Sequence, residues 1–355
     1  MGENFRQVLL AEGQSRKILV RVPNWIGDAV MSTPALGAIR AAFPSWEIVL
    51  AANSVVCELM SPHPFCDRVI VYDKKGVDGG AAGLWKFSRR LGAEDFDGAI
   101  LLQNALEAAI LAALAGIKVR AGFSTDGRRL LLTHPVRRSK EALRLHHSQY
   151  YLEMLAGLGI APAGFKTTLQ CTDSERNWAG SVLGGERFAA INPGAAYGSA
   201  KRWYPKRFAR VADALASDFG FKVLLVGGPA EAGIGSEILS EMSARALNMI
   251  GRTSVRRLMA LLASSELVVT NDSGPMHVAA AFDRPVVALF GPTDHTVTSP
   301  LCSKLALVRK PTECAPCLKR ECPGDHRCMA QISVEDVLAG VQALIGSGRE
   351  KAENP

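Results

Sequence analysis

The sequence has no long hydrophobic run. Its longest apolar stretches, residues 98–102 and 108–115, are far shorter than the ~20 residues that span a bilayer as a helix. The first residues include Glu3, Arg6 and Glu12 and contain no apolar stretch of the secretory kind. These absences argue against a membrane-spanning helix and against export, so we expect a cytoplasmic protein.

Two nucleotide-binding fingerprints are also missing. Neither Gly27 nor Gly227-Gly228 belongs to a G-x-G-x-x-G turn, and there is no Walker P-loop. Their absence argues against a nicotinamide or flavin oxidoreductase and against a P-loop NTPase. The formal net charge is +7, but the basic residues are scattered, and no basic strand is interleaved with aromatic residues. We therefore expect no nucleic-acid partner.

The chain does contain enough apolar residues for two cores. It has 355 residues, of which 48% are hydrophobic and 21% charged, and this length predicts two domains. Short apolar segments alternate with helical segments in two series, which is typical of parallel, doubly wound sheets. We predict an α/β chain of two Rossmann-like domains, residues 1–170 and 171–355, with a cleft between them. The loosely patterned stretch 157–177 joins them, and residues 1–16 form a loose arm.

The predicted strands are residues 18–22, 47–52, 68–72 and 98–102, then 188–192, 222–226, 267–270 and 286–290. The main predicted helices are residues 29–42, 81–91, 106–114, 208–218, 232–244, 255–263 and 333–345.

One candidate site follows a strand of the second series. The turn Asn271-Asp272-Ser273-Gly274 leads into an Ala-rich helix, and a helix start binds phosphate through its unpaired N–H groups and positive dipole end. Asp272 would repel phosphate, but it could accept hydrogen bonds from neighbouring sugar hydroxyls. Alternatively, Asp272 or Ser273 is a plain helix cap. His277, one turn further on, is either a donor-site residue or a packed structural histidine.

Two further segments carry candidate chemistry. The loop that starts at Asn192 carries Lys201 and Arg202 ahead of a helix at Pro205, and such cations suit a diphosphate leaving group; the alternative is a solvated loop. Asp28 follows Gly27 at the start of a helix. It is either a general base for an attacking hydroxyl or an N-cap.

Taken together, these motifs resemble the bacterial ADP-heptose:lipopolysaccharide heptosyltransferases. The segments that carry the resemblance are residues 25–36, 192–203 and 270–277, and it extends over about residues 17–345. The resemblance implies a GT-B fold and the inverting transfer of L-glycero-D-manno-heptose from ADP-heptose to the first heptose of the lipopolysaccharide inner core. It also implies that the N-terminal domain takes the acceptor, that the C-terminal domain takes the donor, and that the chemistry requires no cofactor.

Roles for individual residues follow from the same resemblance. Asp28 is the general base, Lys201 holds the donor phosphates, and Asp272 contacts heptose hydroxyls. The other donor-site residues that it implies are Ser273 and Gly274 at the diphosphate, Glu231 near the ribose, and Gly251 and Thr253 at the adenine.

The acceptor implied by the resemblance is an anionic glycolipid of the heptosyl-Kdo2-lipid A type. A basic group could meet its carboxylates and phosphates, or it could serve solubility alone. This group comprises Arg120, Arg128, Arg129 and His146, with Arg137, Arg138, Lys140 and His147 nearby. We expect salt-sensitive, peripheral association with the inner face of the inner membrane.

Four of the eight cysteines, Cys314, Cys317, Cys322 and Cys328, lie close together in the sequence. They could hold a structural zinc or iron ion, or they could form a reduced or partly oxidised surface loop. A second metal motif, the D-x-D of Asp95-Phe96-Asp97, stands at the start of a predicted strand, away from the predicted cleft, and we interpret it as a turn.

Three other functions remain open. The protein could act on the Kdo sugar instead of the first heptose, it could transfer heptose to a protein, or it could bind a nucleotide sugar without catalysis. Analysis of the product linkage separates the first of these from transfer to heptose.

Overall fold

The computed structural model describes residues 4–346 of the chain. It consists of two compact units, Met1–Gln170 and Cys171–Pro355. Each unit contains one six-stranded sheet, and every strand pair in both sheets is parallel. The prediction of an α/β chain with two Rossmann-like, doubly wound sheets is therefore confirmed.

The strands of the first unit are β1 (Lys17–Arg21), β2 (Glu47–Ala52), β3 (Arg68–Val71), β4 (Gly98–Leu101), β5 (Val119–Phe123) and β6 (His134–Val136). Those of the second unit are β7 (Phe188–Asn192), β8 (Lys222–Leu225), β9 (Ala246–Asn248), β10 (Leu267–Asn271), β11 (Val286–Phe290) and β12 (Leu305–Arg309).

Both sheets have the same topology. The first sheet has the strand order β3-β2-β1-β4-β5-β6, and the second has the order β12-β11-β10-β7-β8-β9. In each unit the first strand lies beside the fourth, so β1 pairs with β4 and β7 pairs with β10. The strand order reverses at these pairs, and ligands of open α/β sheets bind outside the carboxyl ends of the strands at such a reversal. We therefore expect the ligand-binding residues of each unit in the segments that follow these four strands.

The helices within residues 4–346 are α1 (Phe5–Glu12), α2 (Ile26–Met31), α3 (Thr33–Ala42), α4 (Ser54–Leu59), α5 (Gly80–Gly92), α6 (Leu106–Leu114), α7 (His147–Ala156), α8 (Asp173–Leu183), α9 (Pro205–Ser217), α10 (Ala232–Glu241), α11 (Val255–Ser264), α12 (Gly274–Ala281), α13 (His295–Thr298), α14 (Arg327–Ala330) and α15 (Val334–Ile345). None of them combines the length and the apolar character that crossing a membrane requires.

The N-terminal segment differs from its prediction. Residues 5–12 form helix α1 instead of a loose arm. Phe5 and Leu9, four residues apart, lie on one face of this helix and are buried. The Asn4 side chain caps the helix by accepting a hydrogen bond from the backbone N–H of Arg6 at 3.1 Å. Burial of these two apolar side chains holds the segment on the first unit.

Two other boundaries also differ. The helix predicted over residues 29–42 is two helices, α2 and α3, which meet at Ser32. Pro34 lies in the first turn of α3, a position that suits its fixed backbone angle and missing N–H. The stretch predicted to be loose up to residue 177 ends earlier, because Thr172 and Glu175 form a capping box that starts α8.

Candidate functional site

Asp28 lies in α2, just beyond the carboxyl end of β1. It is the third residue of this helix rather than its N-cap, a position that Trp25 occupies, so the capping alternative is wrong. Oδ1 of Asp28 lies 3.3 Å from Nδ1 of His147, the first residue of α7. The side chains of both residues are partly exposed, Asp28 at 30% and His147 at 39%. The carboxylate is therefore within reach of a substrate.

Tyr151 lies close to the same carboxylate. It is buried, and burial together with the negative charge of Asp28 raises the pKa of Tyr151 well above its ordinary value. The phenol is therefore neutral at physiological pH. Asp28 thus has a partly exposed imidazole as one neighbour and a neutral buried phenol as another.

Arg128 is inside the first unit, although the sequence placed it in a basic surface group. No part of its side chain reaches solvent. Its guanidinium donates to the carbonyls of Phe123 and Gln103 and to Oδ1 of Asn104, the last at 3.0 Å. Burial lowers the pKa of Arg128 to about 10, which leaves it charged at neutral pH. The predicted acceptor role of Arg128 is wrong, because all its donors face inward.

The other predicted acceptor residues differ in whether their side chains already have partners within the protein. The Arg120 guanidinium donates to the carbonyls of Leu131, at 2.6 Å, and of Ile117. Nδ1 of His146 accepts the backbone N–H of Ser148 at the start of α7. Arg129 is exposed. The acceptor roles of Arg120, Arg129 and His146 stay predictions.

The burial of Arg128 leads to a stability prediction. We expect Arg128→Met to lower the free energy of unfolding by at least about 2 kcal/mol, because buried carbonyls lose their donor. The matched control is Arg129→Met at the exposed neighbouring position, where we expect a change below about 0.5 kcal/mol. Urea unfolding followed by circular dichroism measures both. Equal midpoints for the two variants would contradict the buried role.

The second unit brings Lys201 and Asp272 into direct contact. Lys201 lies in the loop after β7, and Asp272 follows β10 directly. Nζ of Lys201 donates to Oδ2 of Asp272 at 2.6 Å, and Oγ1 of Thr293, in the loop after β11, donates to the same oxygen at 2.5 Å. The side chains are 13% exposed for Lys201 and 5% for Asp272. The sequence indicated the first two residues, whereas Thr293 carried no signal of its own.

The start of α12 has no side-chain cap. Ser273 is the N-cap residue, but its side chain makes no capping hydrogen bond. Its Oγ instead accepts from Nδ2 of Asn192 at 2.8 Å, and the carboxylate of Asp272 accepts from Lys201. The capping alternative for Asp272 and Ser273 is therefore wrong. Pro275 in the first turn has no N–H, and the N–H of Met276 donates to the carbonyl of Ser273 at 3.2 Å. The N–H groups of Ser273 and Gly274 are therefore the ones that a phosphate at this helix start would meet, and the diphosphate-binding roles of these two residues stay predictions.

Two buried asparagines connect the loops of this site, and the sequence reasoning missed their role. Asn271 donates from Nδ2 to the carbonyl of Pro193 at 2.7 Å, and its Oδ1 accepts the backbone N–H of Trp203 at 3.1 Å. Asn192 donates to Oγ1 of Thr270 at 3.1 Å. In the sequence, the only sign of this role is an asparagine at the end of each of two fully buried, mainly apolar strands. These bonds hold the loop of Lys201 against the turn of Asp272.

Glu231 lies at the same edge of the second sheet. Its carboxylate accepts the backbone N–H of Gly228 at 2.7 Å and lies against Gly194, where a Cβ would stand 1.6 Å from Oε1. Glycine is therefore required at residue 194 for this side chain to fit. Burial raises the pKa of Glu231. Glu231, which the sequence predicted near the ribose of the donor, thus lies beside the loop that leads from β7 to Lys201.

The remaining donor-site predictions concern three residues. Gly251 follows β9 with a left-handed φ of +70°, and its N–H donates to the carbonyl of Gly227 at 3.0 Å. Thr253 is half-buried nearby in the sequence, and His277 is buried in α12. The first of these joins the Gly227 loop at the carboxyl edge of the sheet. The nucleotide-binding roles of all three stay predictions.

The four-cysteine cluster surrounds a cavity of about 290 Å³. Burial raises the pKa of Cys328, and the charges of the other three cysteines raise it further. All four cysteines line the same cavity. All eight cysteines are free thiols. Within residues 4–346, no three His, Cys, Asp or Glu side chains are arranged as a ligand set for a metal ion. The zinc or iron site stays a prediction, which elemental analysis of the purified protein tests.

The D-x-D motif has a structural role. The Asp97 carboxylate accepts the backbone N–H groups of Gln14 and Lys17, at 2.9 and 3.0 Å. Asp95 accepts from Oγ of Ser15 at 2.6 Å. These bonds tie the segment before β4 to the segment that enters β1, at the amino ends of the strands. They agree with the interpretation of this motif as a turn.

Comparisons with known proteins agree with the resemblance. The sequence profile of glycosyltransferase family 9 (heptosyltransferase) matches residues 84–327. Lipopolysaccharide heptosyltransferase 2 of Escherichia coli K12 is 31% identical over 347 residues, covering 93% of this chain and 98% of that protein. Lipooligosaccharide heptosyltransferase 2 of Campylobacter jejuni is 31% identical over 338 residues, covering 92% and 99%. The solved structure of E. coli ADP-heptose lipopolysaccharide heptosyltransferase II has a TM-score of 0.80 at 28% identity, covering 95% of this chain and 100% of that one. The fold is accordingly of the GT-B type.

Proposed function

Since the chain belongs to glycosyltransferase family 9, the heptosyltransferases, we propose that it transfers heptose from ADP-heptose, with inversion, to the first heptose of the lipopolysaccharide inner core. The observation that carries this proposal is the placement of the candidate residues. Asp28 follows the first strand of its sheet, and Asp272 with Lys201 follows the two central strands of the other. Both sets therefore stand at the strand reversal where such sheets bind ligands.

The second unit takes the donor in this proposal. The Lys201 ammonium and the N–H groups of Ser273 and Gly274, at the start of α12, hold the diphosphate, and they meet the negative charge that grows on ADP as it leaves. Asp272 accepts hydrogen bonds from heptose hydroxyls, while Thr293 holds one of its oxygens. Glu231 accepts from ribose hydroxyls. Lysine and backbone N–H groups together supply the positive charge that the leaving group needs.

The first unit takes the acceptor. The Asp28 carboxylate removes the proton from the acceptor hydroxyl as its oxygen attacks the anomeric carbon of the donor. The bond to the ADP oxygen breaks on the opposite face of that carbon, so the configuration inverts. This role requires a carboxylate that a substrate can reach, and Asp28 is partly exposed.

We further propose that the acceptor is an anionic glycolipid and that the protein associates peripherally with the inner face of the inner membrane. The exposed cations Arg129, Arg137 and Lys140 support this. We expect reversal of these three charges to raise the KM for the acceptor without changing the KM for ADP-heptose, and to weaken sedimentation with anionic vesicles at low salt. The control is a triple variant in which the charges of Lys118, Lys166 and Arg176 are reversed, because it changes the net charge by the same amount at other exposed positions. Equal effects of the two triple variants would contradict a specific surface.

One experiment tests the transfer itself. The protein is incubated with ADP-heptose and truncated core glycolipids, and the products are analysed by mass and by linkage. The proposal expects one added heptose, linked to the first heptose. Heptose on the Kdo sugar, heptose on an added protein acceptor, or ADP-heptose binding with no product would each replace the proposal with one of the three alternative functions.

A further inference from the structure

We propose that His147 is a positioning residue for Asp28: its Nδ1–H holds the carboxylate in the orientation that removes the acceptor proton. This inference rests on the proposed function, because it takes Asp28 to be the general base. Its basis is the 3.3 Å approach of Nδ1 of His147 to Oδ1 of Asp28. The two residues are 119 positions apart in the sequence, so the fold brings them together.

The direction of this hydrogen bond follows from the chemistry of the two groups. An ionised carboxylate only accepts hydrogen bonds. Nδ1 of His147 must therefore carry the hydrogen, and it donates to Oδ1 of Asp28. The donor occupies one carboxylate oxygen and leaves the second, Oδ2, for the acceptor hydroxyl.

Folding stability does not account for the pair. Both side chains are more than a quarter exposed, at 30% and 39%, and exposed pairs of this kind contribute little to stability. The start of α7 is already capped, because His146 accepts the N–H of Ser148. A partly exposed contact between a carboxylate and an imidazole at the ligand-binding edge of the sheet is better placed for chemistry than for folding.

A hydrogen-bonded chain of side chains lies beside the imidazole. The centroids of the His147 and Tyr150 rings are 6.4 Å apart, and the hydroxyl of Tyr150 accepts from Nδ2 of Asn104 at 2.7 Å. Oδ1 of Asn104 in turn accepts from the buried Arg128. Asn104 follows β4, and Asp28 follows β1. The hydrogen-bonded chain therefore reaches the neighbouring strand at the point where the strand order reverses.

The test compares two substitutions at one position. His147→Ala removes the hydrogen bond, whereas His147→Asn keeps a donor where Nδ1 stands but cannot take up a proton near neutral pH. Because a small misplacement of a catalytic group costs up to about 10²-fold, we expect kcat of the Ala variant to fall about 10- to 100-fold. The KM for ADP-heptose should not change. The Asn variant should recover most of the lost kcat.

Controls separate positioning from other effects. Gln149→Ala, on the exposed side of the same helix turn, should keep wild-type kcat. Thermal melting of each variant reports whether the first unit still folds. A wild-type kcat in the Ala variant would overturn the proposal. So would an Asn variant as slow as the Ala variant, because His147 would then act by moving a proton.

A double substitution distinguishes this inference from the proposed function. If His147 acts through Asp28, adding His147→Ala to Asp28→Asn should slow the reaction no further. An equal loss in both backgrounds would show that His147 acts independently and would overturn the positioning role, while leaving the heptosyltransferase proposal intact. Absence of transfer by the wild-type protein would instead refute the proposed function, and the inference with it.

Discussion

The Asp28→Asn variant is expected to bind ADP-heptose as the wild type does and to lose turnover. The amide has nearly the shape of the carboxylate, but it cannot accept the proton of the attacking hydroxyl. Removing a general base costs about 10²–10⁴-fold in rate, so kcat should fall by that factor. The KM for ADP-heptose should stay near its wild-type value, because the proposed donor ligands Lys201 and Asp272 are untouched.

The size of this effect separates catalysis from structure. Asp28 is neither a cap of α2 nor a buried residue, so the substitution should barely change the melting temperature. The matched control is Asp126→Asn in the same unit. Asp126 is exposed and has a φ of 54°, a left-handed conformation that Asn tolerates well. Single-turnover and steady-state assays of both variants decide the question: turnover near wild type in Asp28→Asn would remove Asp28 from the role of base.

The sequence predicted the centre of each sheet better than its edges. Strands such as β10 and β11 are buried along their whole length, and strands of this kind appear as continuous apolar runs. The strands that the prediction missed, β5, β6 and β12, lie toward the outer edges. β6 is His134-Pro135-Val136, and none of its residues is fully buried. β6 has no apolar run by which to be found, whereas the edge strand β3, with the run Val69-Ile70-Val71, has one and was predicted.

At the candidate site, too, the sequence predicted only those residues that lie in a recognisable local pattern. Asp28, Lys201 and Asp272 could be named from the sequence because each follows a recognisable strand or lies in a recognisable motif. Their partners could not, since His147 and Thr293 meet them only through tertiary folding. For Arg128 the sequence suggested a wrong role. It belongs to a basic group in the sequence, but its guanidinium lies among backbone carbonyls. Charge alone does not tell a surface arginine from one that satisfies buried carbonyls.

The Lys201–Asp272 pair provides the second large effect. We expect Lys201→Met to destabilise the second unit by about 3 kcal/mol, because Asp272 would keep a buried negative charge without its cation. The same variant should lose about 10²–10³-fold in kcat/KM, because the leaving diphosphate loses its positive charge. Stability and activity therefore fall together in this variant, and neither loss alone reveals why lysine is present.

A double variant separates the two roles. In Lys201→Met combined with Asp272→Asn, no unpaired charge remains, so the melting temperature should return most of the way to wild type. Activity should not return, because the donor phosphates still lack their cation.

Lys206→Met is the matched control: Lys206 pairs with Glu241 at 3.1 Å, and its side chain is 70% exposed, so stability and rate should hardly change. The melting temperature of each variant is measured with and without ADP. ADP should raise the melting temperature of the control but not that of the double variant. If the double variant regained turnover along with its stability, Lys201 would serve only to neutralise Asp272, and the diphosphate would have to be held by other groups.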